Sequence, residues 1–186
     1  MSDLIAPRLI GQKQILNKYG KVILEREFIL PNETTVEYVV WGVTVTPSIV
    51  FPIIETPEDI TVIAVHQFRY GANEFVLEVP GGCPQPGQSP EEVASRELFE
   101  ETGYAADQMI RLGTASLWFE PAVSITNYIP FLARGCKKVA DPKPEQDEVL
   151  EVRLIPMDTW LGMIKNGQIH DSKTIAVTML ALLFLA

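Results

Sequence analysis

Residues 82–104 read GCPQPGQSPEEVASRELFEETGY, and this stretch decides the fold. Ser89-Pro90-Glu91-Glu92 carries the signals of a helix start: a capping serine, a proline at the first helical position where no N–H is needed, and a capping-box glutamate. The helix is predicted to run to about Thr102, with Gly103 as the left-handed residue that commonly ends helices. Glu97, Glu100 and Glu101 stand at i, i+3 and i+4, so all three carboxylates share one face. Like charges so placed repel, which leaves two readings open. Either solvent screens an acidic face, or hard cations such as Mg2+ or Mn2+ take the oxygens as ligands.

Upstream, short stretches rich in Val, Ile, Thr, Tyr and Phe fill Ile10 to Phe68 and are broken by turn signals at Tyr19-Gly20, Pro31-Asn32-Glu33 and Glu55 to Asp59. They read as a run of strands. Thr61 to Phe68 is nearly continuous in apolar residues, as a strand covered on both faces requires, and Phe75 to Val79 follows. Downstream, strands are predicted at Met109 to Trp118, Thr126 to Leu132 and Val149 to Leu154. Two helices close the chain: one capped by Asp158 and stopping at Asn166-Gly167, the other capped by Asp171 or Ser172. The apolar run Ile175 to Ala186 is shorter than the ~20 residues of a membrane span, so it reads as a buried C-terminal helix.

The whole chain has 186 residues, 47% of them hydrophobic, which suits one globular domain with a small appendage. A formal charge of -9 argues against a nucleic-acid partner, since phosphate backbones are gripped by clustered Lys and Arg. It does not argue against a nucleotide, because metal ions and a few local arginines can supply the positive field. Cys83 and Cys136 are too few for a disulfide framework and lack zinc-site spacing, so a reducing, cytoplasmic compartment is expected. The first residues, MSDLIAPRLIGQKQ, do not read as a signal peptide.

The 82–104 segment resembles the Nudix box, in which Gly, five residues, Glu and seven residues precede Arg-Glu-apolar-any-Glu-Glu-any-Gly-apolar. Gly82, Arg96, Glu97, Leu98, Glu100, Glu101, Gly103 and Tyr104 all fall in register. The resemblance implies an α/β/α sandwich with a mixed β-sheet (α/β, α+β class) plus an N-terminal antiparallel β region. It divides the chain into residues 1–45, a dimerisation region exchanged between subunits of a homodimer, and residues 46–186, the hydrolase domain. It also implies that Glu97, Glu100, Glu101 and the backbone carbonyl of Gly81 ligate Mg2+ or Mn2+, with Arg96 orienting the carboxylates. The first box glutamate is Gln88 here, which keeps a carbonyl acceptor and loses the charge. If that position ties the loop to the helix, activity survives; if it holds a metal through water, metal affinity falls.

Gln67-Phe68-Arg69-Tyr70 followed by Leu77-Glu78-Val79-Pro80-Gly81-Gly82 is similar to the ADP-ribose and nucleotide-sugar pyrophosphatase branch, where a Gln-aromatic-Arg strand precedes Glu-any-Pro-Ala-Gly. Gly81 in place of that alanine is taken as a mild change. The branch implies Arg69 as a phosphate contact, since guanidinium binds phosphate oxygens in a bidentate manner; an edge-strand surface pair is the plainer reading. Glu78 either accepts from base or ribose or forms a loop salt bridge, and Trp41 either stacks on the base or packs in the core. Within the acidic loop Asp141 to Glu148, the branch implies a general base, with Glu148 first and Glu145 second. Pro121 stands slightly beyond the place where ADP-ribose hydrolases carry a marker proline, and His66 and His170 read as structural. The expected reaction is hydrolysis of ADP-ribose to AMP and ribose 5-phosphate. The alternatives are GDP-mannose or ADP-glucose as substrate, or a catalytically silent domain that binds nucleotide or a protein partner.

Overall fold

The computed structural model describes residues 4–185; Met1 to Asp3, the start of the segment read as lacking a signal peptide, and Ala186, the end of the apolar run, lie outside them. Two compact units are present. The first comprises the chain up to Thr46 together with Trp118–Asn127, a return segment that the sequence does not mark. Its antiparallel sheet has the order β1-β2-β3, with β1 at Arg8–Lys18, β2 at Lys21–Ile29 and β3 at Thr35–Val43. Tyr19 and Gly20, both at positive φ, turn β1 into β2. Val22, Leu24 and Val40 pack with Ile125 in a small core, while β1 is almost wholly exposed.

The second unit holds a mixed sheet ordered β11-β4-β5-β13. Its members are β4 (Ser48–Glu55), β5 (Ile60–Arg69), β11 (Asn127–Arg134) and β13 (Leu150–Pro156). β11 runs parallel to β4, and the other two pairings are antiparallel. Short strands β6 (Glu74–Glu78), β7 (Gly81–Gly82) and β9 (Gln108–Arg111) pair with β5, β4 and β11. β8 (Tyr104–Ala105) pairs with β12 (Lys137–Lys138), and β10 (Leu117–Trp118) leads out of the unit. The strand expected across Met109 to Trp118 is therefore split, because Gly113 takes φ 82° and turns the chain between β9 and β10.

Strand alternation builds two apolar layers. Ile49, Phe51 and Ile53 of β4, with Val62 and Ala64 of β5, face α2 (Met157–Lys165) and α3 (Ser172–Leu185) through Trp160, Val177 and Ala181. Val50 and Ile63 face the other way, onto Ala94 and Leu98 of α1 (Pro90–Thr102). Helices thus cover both sheet faces, the α/β/α sandwich with a mixed sheet that the resemblance implies. Val62 to Val65 are fully buried, as expected of a strand covered on both sides.

The α1 caps form as the sequence predicts. Ser89 accepts from the Glu92 amide, Glu92 closes the capping box, and Gly103 sits at φ 76°. One helix-end expectation needs correction. α2 begins at Met157 after Pro156 with no side-chain cap, and Asp158 lies inside its first turn, where its charge still favours the helix N-terminus. α3 is capped by Asp171, whose Oδ2 accepts from the Thr174 amide. Only one face of α3 is buried; Met179, Leu183 and Phe184 are exposed, so an apolar sequence does not by itself make a wholly buried helix. Among the described residues no helix is long and apolar enough to cross a membrane.

Candidate active site

The site is assembled where β7 enters the loop before α1. Gly81 and Gly82 pair with Ile49 and Ser48 of β4, and the buried Ser48 hydroxyl donates to the carbonyl of Pro90 at 2.8 Å, fastening the helix start to the sheet. A Cβ at Gly81 would stand 2.5 Å from the Ser48 carbonyl oxygen, so glycine here is a requirement of close backbone approach and not a mild change from alanine. A Cβ at Gly82 would overlap the Glu97 carboxylate, which lies directly against that glycine.

Arg96 binds loop to helix. Its guanidinium donates to Glu100 Oε2 at 2.6 Å, Glu97 Oε1 at 2.7 Å, the Cys83 carbonyl at 2.8 Å and Gln88 Oε1 at 3.3 Å. Gln88 Oε1 also accepts from the Gln85 amide at 2.9 Å. An uncharged carbonyl suffices for both bonds, so Gln88 has the contacts of a loop-to-helix tie. Glu101 is 2% exposed and accepts from the Gly81 amide at 3.3 Å.

Burial raises the Glu97 pKa to about 7, against the pull of Arg96 and with help from the charges of Glu100 and Glu148. Glu101 is pushed well above the usual carboxylate range, first by burial and then by Glu97 and Glu148, with Arg69 and the Gly81 amide opposing. Desolvated carboxylates that repel one another are poor surface decoration and good hard donors for a divalent cation. The bonds just described engage one oxygen on each of Glu97, Glu100 and Glu101. The donor chemistry therefore fits a hard divalent cation. The cage is not preformed: among the described residues no three His, Cys, Asp or Glu side chains converge as a ligand group, since Arg96 draws Glu97 and Glu100 to itself.

Arg69 ends β5 on the same face as Ile63, which packs on α1. Its Nε and Nη2 donate to Glu78 Oε1 and Oε2 at 2.6 and 2.9 Å, a bidentate pair with a carboxylate only 2% exposed. Burial works against the Arg69 charge, but the bonds and charge of Glu78, aided by Glu101 and Asp171, raise its pKa overall. Arg69 is thus neither a loose surface arginine nor unpaired, and it acts on the same carboxylate that Glu97 and Glu148 act on. Glu148 is half-buried and accepts at Oε2 from the Glu145 amide at 2.8 Å; Glu145 itself is exposed.

The structure brings Gly81, Glu97, Glu100, Glu101, Arg69, Glu78 and Glu148 into one unit. Trp41 belongs to the other unit, 44% exposed on β3 and edge-to-face with Phe119. Pro121 also lies in that unit. His66 pairs with Glu151 at 3.2 Å and His170 with Glu74 at 3.4 Å. Cys136 is buried, and desolvation pushes its thiol to about 12. Sequence reasoning assigned no role to Gln67, 3% exposed and carrying a buried Oε1 without a hydrogen-bond partner, nor to Lys173 beside Glu78. Gln67 had a signal, as a polar residue within an apolar strand; Lys173 had none, being nearly a hundred residues from its partner.

Residues 46–177 match the NUDIX domain family over their whole span. The chain belongs to the Nudix family. This Nudix chain is 29% identical over 114 residues to an ADP-ribose pyrophosphatase of Bacillus subtilis (strain 168), covering 61% of this chain and 60% of that one. It is 35% identical over 130 residues to a GDP-mannose pyrophosphatase of Yersinia enterocolitica serotype O:8, covering 65% and 66%. The matched region thus spans under two thirds of either relative's length. A solved structure described as an ADP compounds hydrolase superposes with a TM-score of 0.84 at 17% identity, covering 100% of this chain and 97% of that one, which shows a shared fold.

Proposed function

We propose that the protein hydrolyses the pyrophosphate bond of a nucleoside diphosphate sugar, with ADP-ribose the favoured substrate and AMP and ribose 5-phosphate the products. The observation that carries this reading is that the buried Glu101 carboxylate accepts from the Gly81 amide and lies within the charge influence of Arg69, Glu97 and Glu148 together. A guanidinium suited to phosphate thus acts on one of the buried carboxylates suited to a cation, with Glu148 as a further carboxylate acting on the same group. Glu97, Glu100, Glu101 and the Gly81 carbonyl would hold Mg2+ or Mn2+. Bound there, the ion lowers the pKa of water and neutralises phosphate charge. Arg69 grips the diphosphate while Glu78 fixes its guanidinium plane. Glu148 accepts the proton of the water that attacks phosphorus, and its tie to the Glu145 amide holds it at the entry of β13.

The names of the relatives support a nucleotide-sugar substrate in the ADP-ribose or GDP-mannose class. Two bulky groups flank the diphosphate in such compounds, whereas a triphosphate would bring extra charge toward the acidic loop from Asp141 to Glu148. The test is the specificity constant for ADP-ribose, ADP-glucose, GDP-mannose and dGTP under identical Mg2+, because that constant reports differential transition-state binding. ADP-ribose should lead. A clear preference for dGTP refutes the substrate class, and no hydrolysis of any of the four favours a silent nucleotide-binding domain.

The first unit supports a homodimer through residues before about Val45. Leu9, Ile15 and Leu16 of β1 and Tyr38 and Val39 of β3 are exposed large hydrophobics on a small sheet. A cytoplasmic location accords with a small-molecule substrate and with a chain whose cysteines are only Cys83 and Cys136.

A further inference from the structure

We infer that Lys173, in the first turn of α3, is a positioning residue for the diphosphate-binding arginine and acts through Glu78. The inference rests on the reading of Arg69 as the phosphate contact and adds a part outside the Nudix box. Both oxygens of Glu78 are taken by Arg69, at 2.6 and 2.9 Å. A buried carboxylate bound in this way cancels much of the guanidinium's charge, so Arg69 would meet a diphosphate as half of a closed ion pair. Lys173 alters that balance. Its Nζ stands 3.7 Å from Glu78 Oε2, the oxygen that also accepts from Arg69 Nη2. A second cation on one carboxylate leaves the first with residual positive charge to offer the substrate.

The first turn of α3 is built to hold Lys173 in place. Its Nζ donates to Asp171 Oδ1 at 2.6 Å, and the other oxygen of Asp171 accepts from the Thr174 amide at 2.8 Å. Burial opposes the Asp171 charge, but Lys173 and Thr174 outweigh it and lower its pKa. Thr174 in turn accepts at Oγ1 from the Val79 amide at 3.2 Å, so the same turn grips the residue that follows Glu78. Arg69, Glu78, Lys173 and Asp171 form a row of alternating charge that sums to zero with Lys173 and to one negative charge without it. That negative charge would stand beside the diphosphate. The loss should therefore appear in substrate binding, not in the chemical step.

The experiment uses the full chain with Mg2+ and ADP-ribose, comparing Lys173→Met, Lys173→Arg and Arg69→Met. Partners that stand behind metal ligands cost about 10- to 100-fold when removed, and a loss at the lower end of that range is expected for a partner behind a phosphate contact. Lys173→Met should raise KM about tenfold while kcat changes by about twofold or less, the signature of lost uniform binding. ADP-ribose binding measured in EDTA should weaken in parallel, and Lys173→Arg should restore both. Lys173→Met also strips Asp171 of its partner, so its thermal midpoint should fall modestly, and Lys173→Arg should restore it along with binding. If Lys173→Met leaves KM and binding unchanged while Arg69→Met weakens both, the role of Lys173 is refuted and the phosphate reading of Arg69 stands. If Arg69→Met binds normally, that reading itself fails. A fall in thermal midpoint with no rescue by arginine would make Lys173 a structural residue and overturn the inference.

Discussion

Gly81→Ala restores the residue common in the nucleotide-sugar branch, yet here it should be harmful. The added Cβ would lie 2.5 Å from the Ser48 carbonyl oxygen, 2.7 Å from Ile49 Cδ1 and 2.9 Å from Ile49 Cα, two of which are backbone atoms. Neither strand can retreat freely. Val50 donates to the Pro80 carbonyl at 2.8 Å, and Ser48 is fastened to Pro90. Forcing one carbon into such packing costs about 1–3 kcal/mol. At roughly 2–4 °C per kcal/mol for a chain of this size, the thermal midpoint should fall by about 2–12 °C. Turnover should fall with it, because Gly81 also donates to Glu101. Gly82→Ala is the companion. Its Cβ would meet the Glu97 carboxylate, with Cδ at 2.6 Å, and a side-chain end can swing aside for about 0.5–1.5 kcal/mol. That variant should lose turnover on ADP-ribose while nearly keeping its midpoint. Differential scanning calorimetry and a coupled phosphate assay on both variants separate the effects. A Gly81→Ala protein with wild-type midpoint and turnover would refute the close-approach argument.

Further outcomes follow from the same geometry. Glu101→Gln should cut turnover at limiting Mg2+ by orders of magnitude while the midpoint holds or rises, since burial already disfavours the ionised acid; near-normal turnover sinks the ligand assignment. Glu148→Gln should lower kcat about 100- to 10,000-fold, and Glu145→Gln far less; the reverse order would move the general base to Glu145. Glu55 is held below its ordinary value of 4.5 chiefly by the hydrogen bond from Arg134, so the pair stabilises the fold above the unfolded pKa, and that contribution is lost as pH falls through the folded value. The midpoint difference between wild type and Glu55→Gln should accordingly be constant near neutrality, begin to shrink as pH falls below about 4.3, the unperturbed glutamate value, and vanish only below the lower folded value; a difference that grows in acid would contradict the sign. Sedimentation of the full chain should show a dimer, and a chain starting after Val45 should give monomer or aggregate; a clean, active monomer of the full chain at micromolar concentration ends the dimer proposal.

Local physics made the centre of this protein legible in its sequence. Ser89, Pro90, Glu92 and Gly103 specify α1 through interactions within a few residues, and the helical period alone sets Glu97, Glu100 and Glu101 on one face. The near-continuous apolar run Thr61 to Phe68 marked a strand covered on both faces, but only the structure shows which side of β4 and β5 enters which layer. Legibility failed where a partner lies far along the chain. Met109 to Trp118 has the composition of one strand, but a single positive-φ glycine breaks it, and the apolar sequence of α3 does not reveal which face is covered.

What the sequence by itself determined is the presence of a capped acidic helix behind a glycine loop, because caps and periodicity are short-range properties. Only the tertiary structure decided that two of those carboxylates are desolvated, that Arg69 is locked onto Glu78, that Lys173 shares the same carboxylate, and that Gly81 admits no side chain. Each of these depends on which distant segments exclude water from a charge or press against a backbone. Burial and close approach belong to pairs of segments, and a one-dimensional pattern does not contain them.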